Sequence, residues 1–341
     1  MCRNYFITGG AGFIGSNYVK RLLERGEKVC IYDNLSRAGA RRNLVWLREK
    51  FGETAFQLTV GDVRDADLLK TSSCEADVVI HLAAQVAVTT SVIEPREDFE
   101  INAGGTFNML EAARLNERKP VILYASTNKV YGGMEDVKVV EDGMRWRYAD
   151  LPHGCPETQL LDFHSPYGCS KGAGDQYVRD YSRIYNLATV VLRQSCIYGP
   201  RQFGVEDQGW VAWMIIAAVT GLPLTIYGDG KQIRDVLHVD DLLDAYDAAV
   251  AKINTVQGQV YNLGGGPENT MSIWTEFGPL LEKMLGKPVP VRRGDWRPGD
   301  QKVFVADIRK AERDLGWKPK VGVLEGVESL FEWVKENKDL F

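Results

Sequence analysis

The sequence predicts an α/β fold in which a doubly wound parallel sheet is combined with a smaller, interleaved C-terminal α/β domain. Over the first half of the chain, short apolar runs alternate with helical patterns, which is typical of a parallel sheet with helices on its faces. A glycine-rich stretch, Thr8–Gly15, separates the first apolar run from the first helical pattern. After Arg193 the pattern becomes irregular and richer in Gly, Pro, Trp and Arg, which indicates a second domain.

The predicted strands are short runs of apolar and β-branched residues, and the predicted helices carry apolar residues three and four positions apart. The first helix shows this with Tyr18, Val19 and Leu22 on one side. The strands are predicted at Tyr5–Ile7, Lys28–Tyr32, Phe56–Val60, Val78–His81, Val121–Ala125 and Thr189–Arg193, and the helices at Phe13–Arg25, Asn43–Lys50, Ala66–Lys70, Phe99–Leu115 and Ser170–Tyr185.

Two later segments are predicted to return to the first domain. They are Arg234–Val239 with the helix Asp240–Ala251, and the strand Gln259–Leu263. The first domain is therefore predicted to comprise residues 1–193 and about 233–264, and the second domain about 194–232 and 265–341.

The composition limits the classes of function. The net charge of −5 over 341 residues argues against a general nucleic-acid surface. The first strand begins within a few residues of Met1, so we expect no N-terminal targeting signal. The most apolar window, Trp210–Leu224, is broken by Gly221-Leu222-Pro223 and is too short to span a bilayer. The six cysteines are scattered, which predicts reduced thiols, no metal site and a cytoplasmic protein without a membrane partner.

The glycine-rich stretch has the context of a dinucleotide site. A strand, then glycines at positions 9, 12 and 15, then a helix is the turn that holds a pyrophosphate at a helix N-terminus. Asp33 ends the second strand eighteen positions after Gly15, where a carboxylate binds the adenosine ribose hydroxyls. That charge would repel a 2′-phosphate, so NAD is favoured over NADP. A tight turn without a ligand is the alternative interpretation.

Tyr167 and Lys171 are spaced so that both side chains lie on one face of a helix. An ammonium beside a phenol lowers the pKa of the phenol, which predicts a base for a hydroxyl proton. Thr127 follows a strand of buried type, at the strand end where ligands bind in doubly wound folds. Taken alone, an exposed helical Tyr–Lys pair is the more common explanation of this spacing.

Together these motifs resemble the extended short-chain dehydrogenases/reductases of the nucleotide-sugar epimerase and dehydratase class. The resemblance implies that Thr127, Tyr167 and Lys171 are a catalytic triad, that NAD is the cofactor, and that the helices Phe99–Leu115 and Ser170–Tyr185 form a homodimer. The motifs cover nearly the whole chain in the expected order: Gly9–Gly15, Asp33–Arg37, Gly61–Val63, His81–Gln85, Asn102–Thr106, Ser126–Gly132, Tyr167 with Lys171, and Tyr198–Arg201.

The resemblance also assigns the ligand contacts. The implied cofactor-binding residues are Gly9, Gly12, Phe13, Ile14, Gly15, Asp33, Asn34, Ser36, Arg37, Asp62, Val63, Leu82, Ala83, Ala84, Gln85, Asn102, Tyr167 and Lys171. The expected contacts to a nucleotide-sugar are Thr127, Asn128, His164, Ser195, Arg201, Gln208, Tyr227, Arg234, Arg297 and Asp300, with the two arginines Arg234 and Arg297 on the diphosphate.

Longer strings narrow the resemblance to enzymes that invert C2 of a CDP-linked hexose through a 2-keto sugar. Nucleotide-sugar 4,6-dehydratases have Asp-Glu directly after the catalytic Thr. This chain has Asn128 and Lys129 there, which argues against a dehydratase activity. A UDP-sugar 4-epimerase is the alternative enzyme, and a non-catalytic NAD-binding regulator is a remote alternative because such proteins usually lose the Tyr or the Lys. The strings are Ser126–Gly132, Gln159–Lys171, Gly199–Phe203, Asp207–Trp210 and Asp300–Asp307.

Overall fold

A computed structural model describes residues 2–297 and 300–341 of the chain. The strands are β1 Asn4–Thr8, β2 Lys28–Asp33, β3 Gln57–Val60, β4 Val78–His81, β5 Val121–Thr127, β6 Val139–Asp142, β7 Arg145–Tyr148, β8 Thr189–Gln194, β9 Ile197–Tyr198, β10 Leu224–Tyr227, β11 Ile233–Asp235, β12 Leu237–His238, β13 Val260–Leu263, β14 Thr270–Ser272, β15 Val291–Gly294 and β16 Val303–Phe304.

The α-helices are α1 Phe13–Glu24, α2 Ala38–Phe51, α3 Ala66–Ser72, α4 Val88–Ile93, α5 Pro95–Phe99, α6 Gly105–Leu115, α7 Ser165–Tyr185, α8 Trp210–Thr220, α9 Val239–Ala251, α10 Ile253–Val256, α11 Phe277–Leu285, α12 Arg309–Leu315 and α13 Val323–Glu336. A π-helix, Glu100–Gly104, joins α5 to α6, and 3₁₀ turns lie at Asn128–Tyr131 and Lys338–Leu340.

The central sheet has the order β13-β8-β5-β4-β1-β2-β3. β1 lies between β4 and β2, pairs with both in parallel, and is buried over most of its length. The chain reverses its direction of winding at β1 and β4, and in such sheets ligands bind beyond the carboxyl ends of the strands at that point. The predicted doubly wound α/β fold is confirmed.

The chain divides into two compact units. Unit 1 comprises residues 1–127, 165–193 and 243–261, and unit 2 comprises residues 128–164, 194–242 and 262–341. The predicted domain division differs from these units at residues 128–164, 233–242 and 262–264, which group with unit 2. The division into an NAD-binding and a substrate domain stays a prediction.

Three local features differ from the predicted elements. Helix α7 begins at Ser165 rather than Ser170, so that it includes Tyr167. The helix predicted at Phe99–Leu115 is interrupted by the π-helix Glu100–Gly104. The antiparallel hairpin of β6 and β7 was not predicted, because each strand has only four residues and most of these are half-buried or exposed.

Each unit has its own apolar core. In unit 1 the core includes Phe6, Val79, Met109 and Ile122 from the strands and from α6. In unit 2 helix α8 is buried between α11 and α13, which explains why its sequence is apolar on nearly every side. Among residues 2–297 and 300–341, no helix is long and apolar enough to cross a membrane.

A buried ion pair joins helix α7 to strand β8 in unit 1. Asp175 is fully buried, and its two carboxylate oxygens accept from Arg193 Nε at 2.9 Å and from Arg193 Nη2 at 3.0 Å. The hydroxyl of Ser126 donates to the same carboxylate at 2.7 Å, so the end of β5 is attached to the pair as well. This bidentate geometry satisfies both charges away from water.

We predict that Asp175→Ala lowers the free energy of unfolding by about 3–5 kcal/mol, because Arg193 is then left charged and buried without its partner. Urea denaturation measures the change. Glu100→Ala is the matched control, since it removes an ion pair of 3.0 Å with Arg96 that lies at the surface, and it should cost roughly 0.5 kcal/mol or less. Equal losses for the two variants would contradict the prediction.

Candidate active site

The loop between β1 and α1 has the shape of an anion-binding cradle. Gly9 has a φ of +70°, and a Cβ there would lie 2.8 Å from the backbone nitrogen of Ala83. A Cβ on Gly15 would lie 2.4 Å from the Gly9 carbonyl oxygen. Gly12 caps α1 without a side-chain hydrogen bond, so the first N–H groups of this helix face outward with no capping oxygen. Such a helix start binds phosphate.

Asp33 lies at the edge of this loop. Its carboxylate accepts from the backbone N–H of Ala11 at 3.0 Å and from that of Leu35 at 2.8 Å. Burial raises the pKa of Asp33 above its ordinary value, although the two N–H bonds oppose the shift. The sequence prediction that an acid ends β2 beside the glycine-rich loop therefore agrees with the geometry, and its carboxylate is fixed by backbone contacts.

Other predicted cofactor residues line the same strand ends but are engaged with protein partners. Asp62 accepts from Arg64 Nε at 2.9 Å and from Asn34 Nδ2 at 3.1 Å, and the bonds from Arg64 lower the pKa of Asp62 to about 2. The side chain of Val63 is buried in the core. The remaining predicted residues are half-buried or exposed, and they lie at the start of α1, just before α2 and just after β4: Phe13, Ile14, Ser36, Arg37, Leu82 and Ala84.

Gln85 and Asn102 form hydrogen bonds with each other. The Gln85 N–H donates to Asn102 Oδ1 at 2.9 Å, and Asn102 Nδ2 donates to the Gln85 carbonyl oxygen at 3.0 Å. Asn102 lies in the π-helix and is buried. Both amides also donate to Asp98, a residue that the sequence analysis did not single out.

Thr127, Tyr167 and Lys171 converge within unit 1. Tyr167 lies in the first turn of α7 and forms a side-chain hydrogen bond with Thr127 at the end of β5. Lys171 is buried one turn further along the helix, where its Nζ donates to the Ala125 carbonyl oxygen at 2.7 Å and lies 4.3 Å from the centre of the Tyr124 ring. Tyr167 and Lys171 thus lie one turn apart on α7, and Tyr167 contacts Thr127; a catalytic role for the three residues stays a prediction.

The pKa of Tyr167 moves in the direction opposite to the sequence expectation. Burial raises the pKa of Tyr167 to about 12, and the hydrogen bond from Thr127 opposes this shift only in part. Burial also lowers the pKa of Lys171 to about 7, against the attraction of Asp175 and Asp98. Removal from water therefore outweighs local pairing for both groups in the protein alone.

Apart from Thr127, the substrate-side candidates lie in unit 2, and three charged side chains of this unit form a cluster. The guanidinium of Arg234 is buried and lies 3.7 Å from Asp300 Oδ1. Burial, together with repulsion from Arg234, lowers the pKa of Lys129 to about 8, while Asp300 opposes the shift. Two cations beside one carboxylate leave an excess of positive charge, which suits a phosphate group.

A second cluster surrounds Arg297. Its guanidinium carbon lies 3.8 Å from the centre of the Tyr227 ring, and its Nη2 lies 3.4 Å from Asp207 Oδ1. The Tyr227 hydroxyl donates to Glu206 at 3.0 Å. Arg297 is thus held by a ring and by carboxylates and points its charge at the loop that contains Glu206 and Asp207.

Other predicted substrate residues of unit 2 are placed differently. The Ser195 hydroxyl donates to the buried carboxylate of Asp235 at 2.5 Å. Arg201 lies 5.6 Å from the centre of the Trp333 ring, and His164 is exposed. Asn128 is buried in the 3₁₀ turn after β5, and the backbone of Gln208 pairs with that of Val205.

The sequence analysis missed Asp98, Asp175 and Ser170 as parts of the unit 1 site, and Lys129 as part of the unit 2 cluster. Asp175 had a usable signal, because it lies four residues after Lys171 on one helix face. Asp98 had none, because its position beside Ser170 depends on a contact between residues 72 positions apart.

Comparisons with known proteins agree with this geometry. The family model described as GDP-mannose 4,6 dehydratase matches residues 6–330. The chain belongs to this family. The predicted membership of the extended short-chain dehydrogenases/reductases, with their epimerases and dehydratases, is confirmed.

Individual relatives cover nearly the whole chain. A CDP-paratose 2-epimerase of Salmonella typhi is 46% identical over 96% of this chain and 98% of its own length. The solved UDP-glucose 4-epimerase of Thermus thermophilus in complex with NAD is 31% identical, with a TM-score of 0.81 over 98% of this chain and 99% of that one. A dTDP-glucose 4,6-dehydratase from Streptomyces venezuelae with NAD and TYD bound is 28% identical, with a TM-score of 0.84 over 99% and 98%.

Proposed function

We propose that this family member is an NAD-dependent epimerase that inverts C2 of a CDP-linked hexose, of the CDP-paratose to CDP-tyvelose type. The observation that carries the proposal is the 46% identity to a CDP-paratose 2-epimerase over almost the full length of both chains. Two features of the site support it. Tyr167 bonds to Thr127 and has Lys171 one helical turn further along α7, and the residues after Thr127 are Asn128 and Lys129 rather than an acid pair.

The residues of the glycine-rich loop fit NAD. Glycine at positions 9 and 15 lets the loop pack tightly against Ala83 and against itself, which forms the compact turn of a pyrophosphate site, and the start of α1 at Gly12 would supply N–H groups for it. Asp33 would accept hydrogen bonds from a ribose diol and would repel a 2′-phosphate. When bound, NAD supplies reversible oxidation of a carbinol carbon and, as a cation, favours the phenolate form of a nearby tyrosine.

Each residue of the triad has one task in this proposal. Tyr167 takes the proton of the C2 hydroxyl as the carbon is oxidised to a ketone, and returns a proton when the ketone is reduced. Lys171 carries a positive charge that stabilises the Tyr167 phenolate. Thr127, through its hydrogen bond to Tyr167, orients the reacting hydroxyl. Asn128 adds a neutral amide beside the sugar.

Inversion requires hydride to return to the opposite face of the C2 carbonyl, so the 2-keto sugar would have to turn in the site between oxidation and reduction. The nucleotide end must therefore stay bound while the sugar ring turns. Arg234 and Arg297 of unit 2 would hold the diphosphate, because guanidinium groups bind phosphate oxygens bidentately. Asp300 and Tyr227, which contact these arginines, would keep them oriented, with His164, Ser195, Arg201 and Gln208 as further candidates around the substrate.

A UDP-sugar 4-epimerase is the second candidate, favoured by the likeness to the Thermus thermophilus enzyme. It would use the same triad at C4. Incubation with CDP- and UDP-hexoses, with the configuration of each product read by NMR, separates the two activities. The third candidate, a regulator that binds NAD without catalysis, is disfavoured by the presence of both Tyr167 and Lys171.

The proposal includes a cytoplasmic homodimer. Large apolar side chains are exposed on α6 and α7, where Phe107 and Tyr177 form an edge-to-face ring pair and Ile184 lies further along the helix. Burying such a patch against a second copy would remove apolar surface from water. The partners are then a nucleotide-sugar and a second copy of the chain, without nucleic acid or membrane.

We predict that Tyr167→Phe lowers kcat for epimerisation by about 10²–10⁴-fold, because the base is lost while the ring still fills its site. NAD binding, measured by isothermal titration calorimetry, should change little. Tyr185→Phe, at the exposed end of α7, is the matched control and should keep the kcat of the unaltered enzyme. Near-normal turnover in Tyr167→Phe would remove this residue from the mechanism.

Arg234→Ala and Arg297→Ala should each raise the KM for the nucleotide-sugar by about tenfold to a hundredfold, since a charge-assisted hydrogen bond contributes about 1.5–3 kcal/mol. NAD affinity should be unaffected. Arg292→Ala, at an exposed position in β15, serves as the control. If both variants bind the substrate as tightly as the control does, the diphosphate site lies elsewhere.

Substrate that carries deuterium at C2 should give a C2-inverted product that retains the deuterium in ordinary water. A hydrogen that leaves and returns as hydride does not exchange with solvent, whereas a carbanion route would exchange it through an acid or base. No net NADH should accumulate. Mass spectrometry of the product measures the retained label, and loss of deuterium at the rate of epimerisation would exclude the oxidation route.

A further inference from the structure

Asn43 is a buried polar residue in helix α2 that no motif of the sequence assigns to the site. Its Nδ2 donates to the Ala11 carbonyl oxygen of the glycine-rich loop at 3.1 Å. Within the residues that the structure describes, its buried Oδ1 has no hydrogen-bond partner. The contact joins residues 32 positions apart, and both belong to unit 1.

The amide group of Asn43 can take only one orientation in this place. The Ala11 carbonyl oxygen accepts and cannot donate, so the amide nitrogen has to face it. The reverse orientation would bring two oxygens to the same 3.1 Å. The unmatched Oδ1 costs free energy, because a buried carbonyl oxygen has lost its bonds to water. The bond to Ala11 offsets that cost, so the net contribution of this amide to the stability of the fold is small.

The peptide group between Ala11 and Gly12 is held at both of its polar atoms. Its C=O accepts from Asn43, and its N–H donates to the Gly9 carbonyl oxygen at 3.0 Å. The preceding peptide group is held as well, because the Ala11 N–H donates to Asp33 at 3.0 Å. A rotation of the peptide between Ala11 and Gly12 would break two hydrogen bonds, so these bonds fix the conformation of the loop.

The same peptide group lies directly before helix α1, which begins at Phe13. The first N–H groups of an α-helix have no partner within the helix, so they are available for an anion. A carbonyl oxygen turned toward that anion would repel it. Because Asn43 binds the Ala11 carbonyl oxygen, this oxygen faces α2, and the peptide from which α1 starts keeps its direction.

We propose that Asn43 is a positioning residue for the cofactor: it keeps the Ala11 carbonyl oxygen away from the pyrophosphate of NAD and keeps the first N–H groups of α1 directed at it. The inference rests on the proposed function in taking NAD as the ligand of the glycine-rich loop. The side chain of Asn43 is buried against the loop backbone, so it acts through Ala11 and is not itself a ligand of NAD.

Asn43→Leu tests the contact, because leucine is of similar size and has neither a donor nor a charge. It removes one hydrogen bond together with the unmatched Oδ1, so the midpoint of urea denaturation should change little. Asn116→Leu is the matched control. The Nδ2 of Asn116 donates to the carbonyl oxygens of Ser73 and Cys74, both at 3.1 Å, which precede β4 at the edge of the sheet opposite to the glycine-rich loop.

The measurement is isothermal titration calorimetry of the full chain, freed of bound nucleotide, with NAD, ADP-ribose and adenosine. NAD and ADP-ribose contain the pyrophosphate, whereas adenosine contains only the part that Asp33 would bind. In Asn43→Leu the affinity for NAD and for ADP-ribose should fall about tenfold or more, which corresponds to the loss of one charge-assisted hydrogen bond. The affinity for adenosine should stay near that of the unaltered protein, and Asn116→Leu should bind all three ligands as the unaltered protein does.

The comparison of ligands separates positioning from a general structural role. A loosened domain would bind all three ligands more weakly, because adenosine needs the same folded unit. Equal losses for ADP-ribose and adenosine in Asn43→Leu, or unchanged binding of ADP-ribose, would overturn the inference alone. Absence of NAD binding in the unaltered protein would overturn the proposed function and the inference with it. If Asn43→Leu does not fold, Asn43→Ala replaces it, with the same expected and contrary results.

Discussion

The main physical constraint on the candidate site of unit 1 is the free-energy cost of burying the charge of Lys171 away from water. Lys171 is buried under the end of β5, and the groups that surround it offset the loss of solvent: the Ala125 carbonyl oxygen, the face of Tyr124, and the carboxylates Asp175 and Asp98. The buried pair of Asp175 with Arg193 and the amide network around Asp98 both belong to this arrangement. Removing one charge leaves the others uncompensated.

Burial also determines which protonation states Tyr167 and Lys171 favour. A phenol with a pKa of about 12 and an ammonium with a pKa of about 7 are mismatched in the protein alone, because each neutral form is favoured by desolvation. The proposed function needs the opposite pair, phenolate and ammonium. A cationic cofactor ring would shift the balance toward that pair, whereas Asp98 favours the Lys171 ammonium but disfavours the Tyr167 phenolate. Catalysis in this site would therefore depend on ligand binding to create the base.

The sequence predicted features that depend on local geometry. The glycine-rich loop, the acid at the end of β2 and the Tyr167–Lys171 spacing follow from strand and helix periodicity, and the structure places them as expected. It did not predict Asp98 or the attachment of Ser195 to Asp235, because both arise from packing between distant segments. It gave the wrong direction for the pKa of Tyr167, because burial is a property of the folded chain and outweighs the neighbouring charge.

The two positions after Thr127 bear on whether this fold supports elimination or epimerisation. An elimination needs an acid for the leaving hydroxyl and a base for the neighbouring proton, and an Asp-Glu pair provides both. Asn128 cannot transfer a proton, and Lys129 lies with Arg234 and Asp300, where burial and a neighbouring cation lower its pKa to about 8. Lys129 would add to the positive charge available for a diphosphate, and it does not supply the carboxylate base that an elimination needs. Under the proposed function, Asn128 and Lys129 would thus disfavour elimination, while Lys129 would strengthen binding of the nucleotide diphosphate as the keto sugar turns.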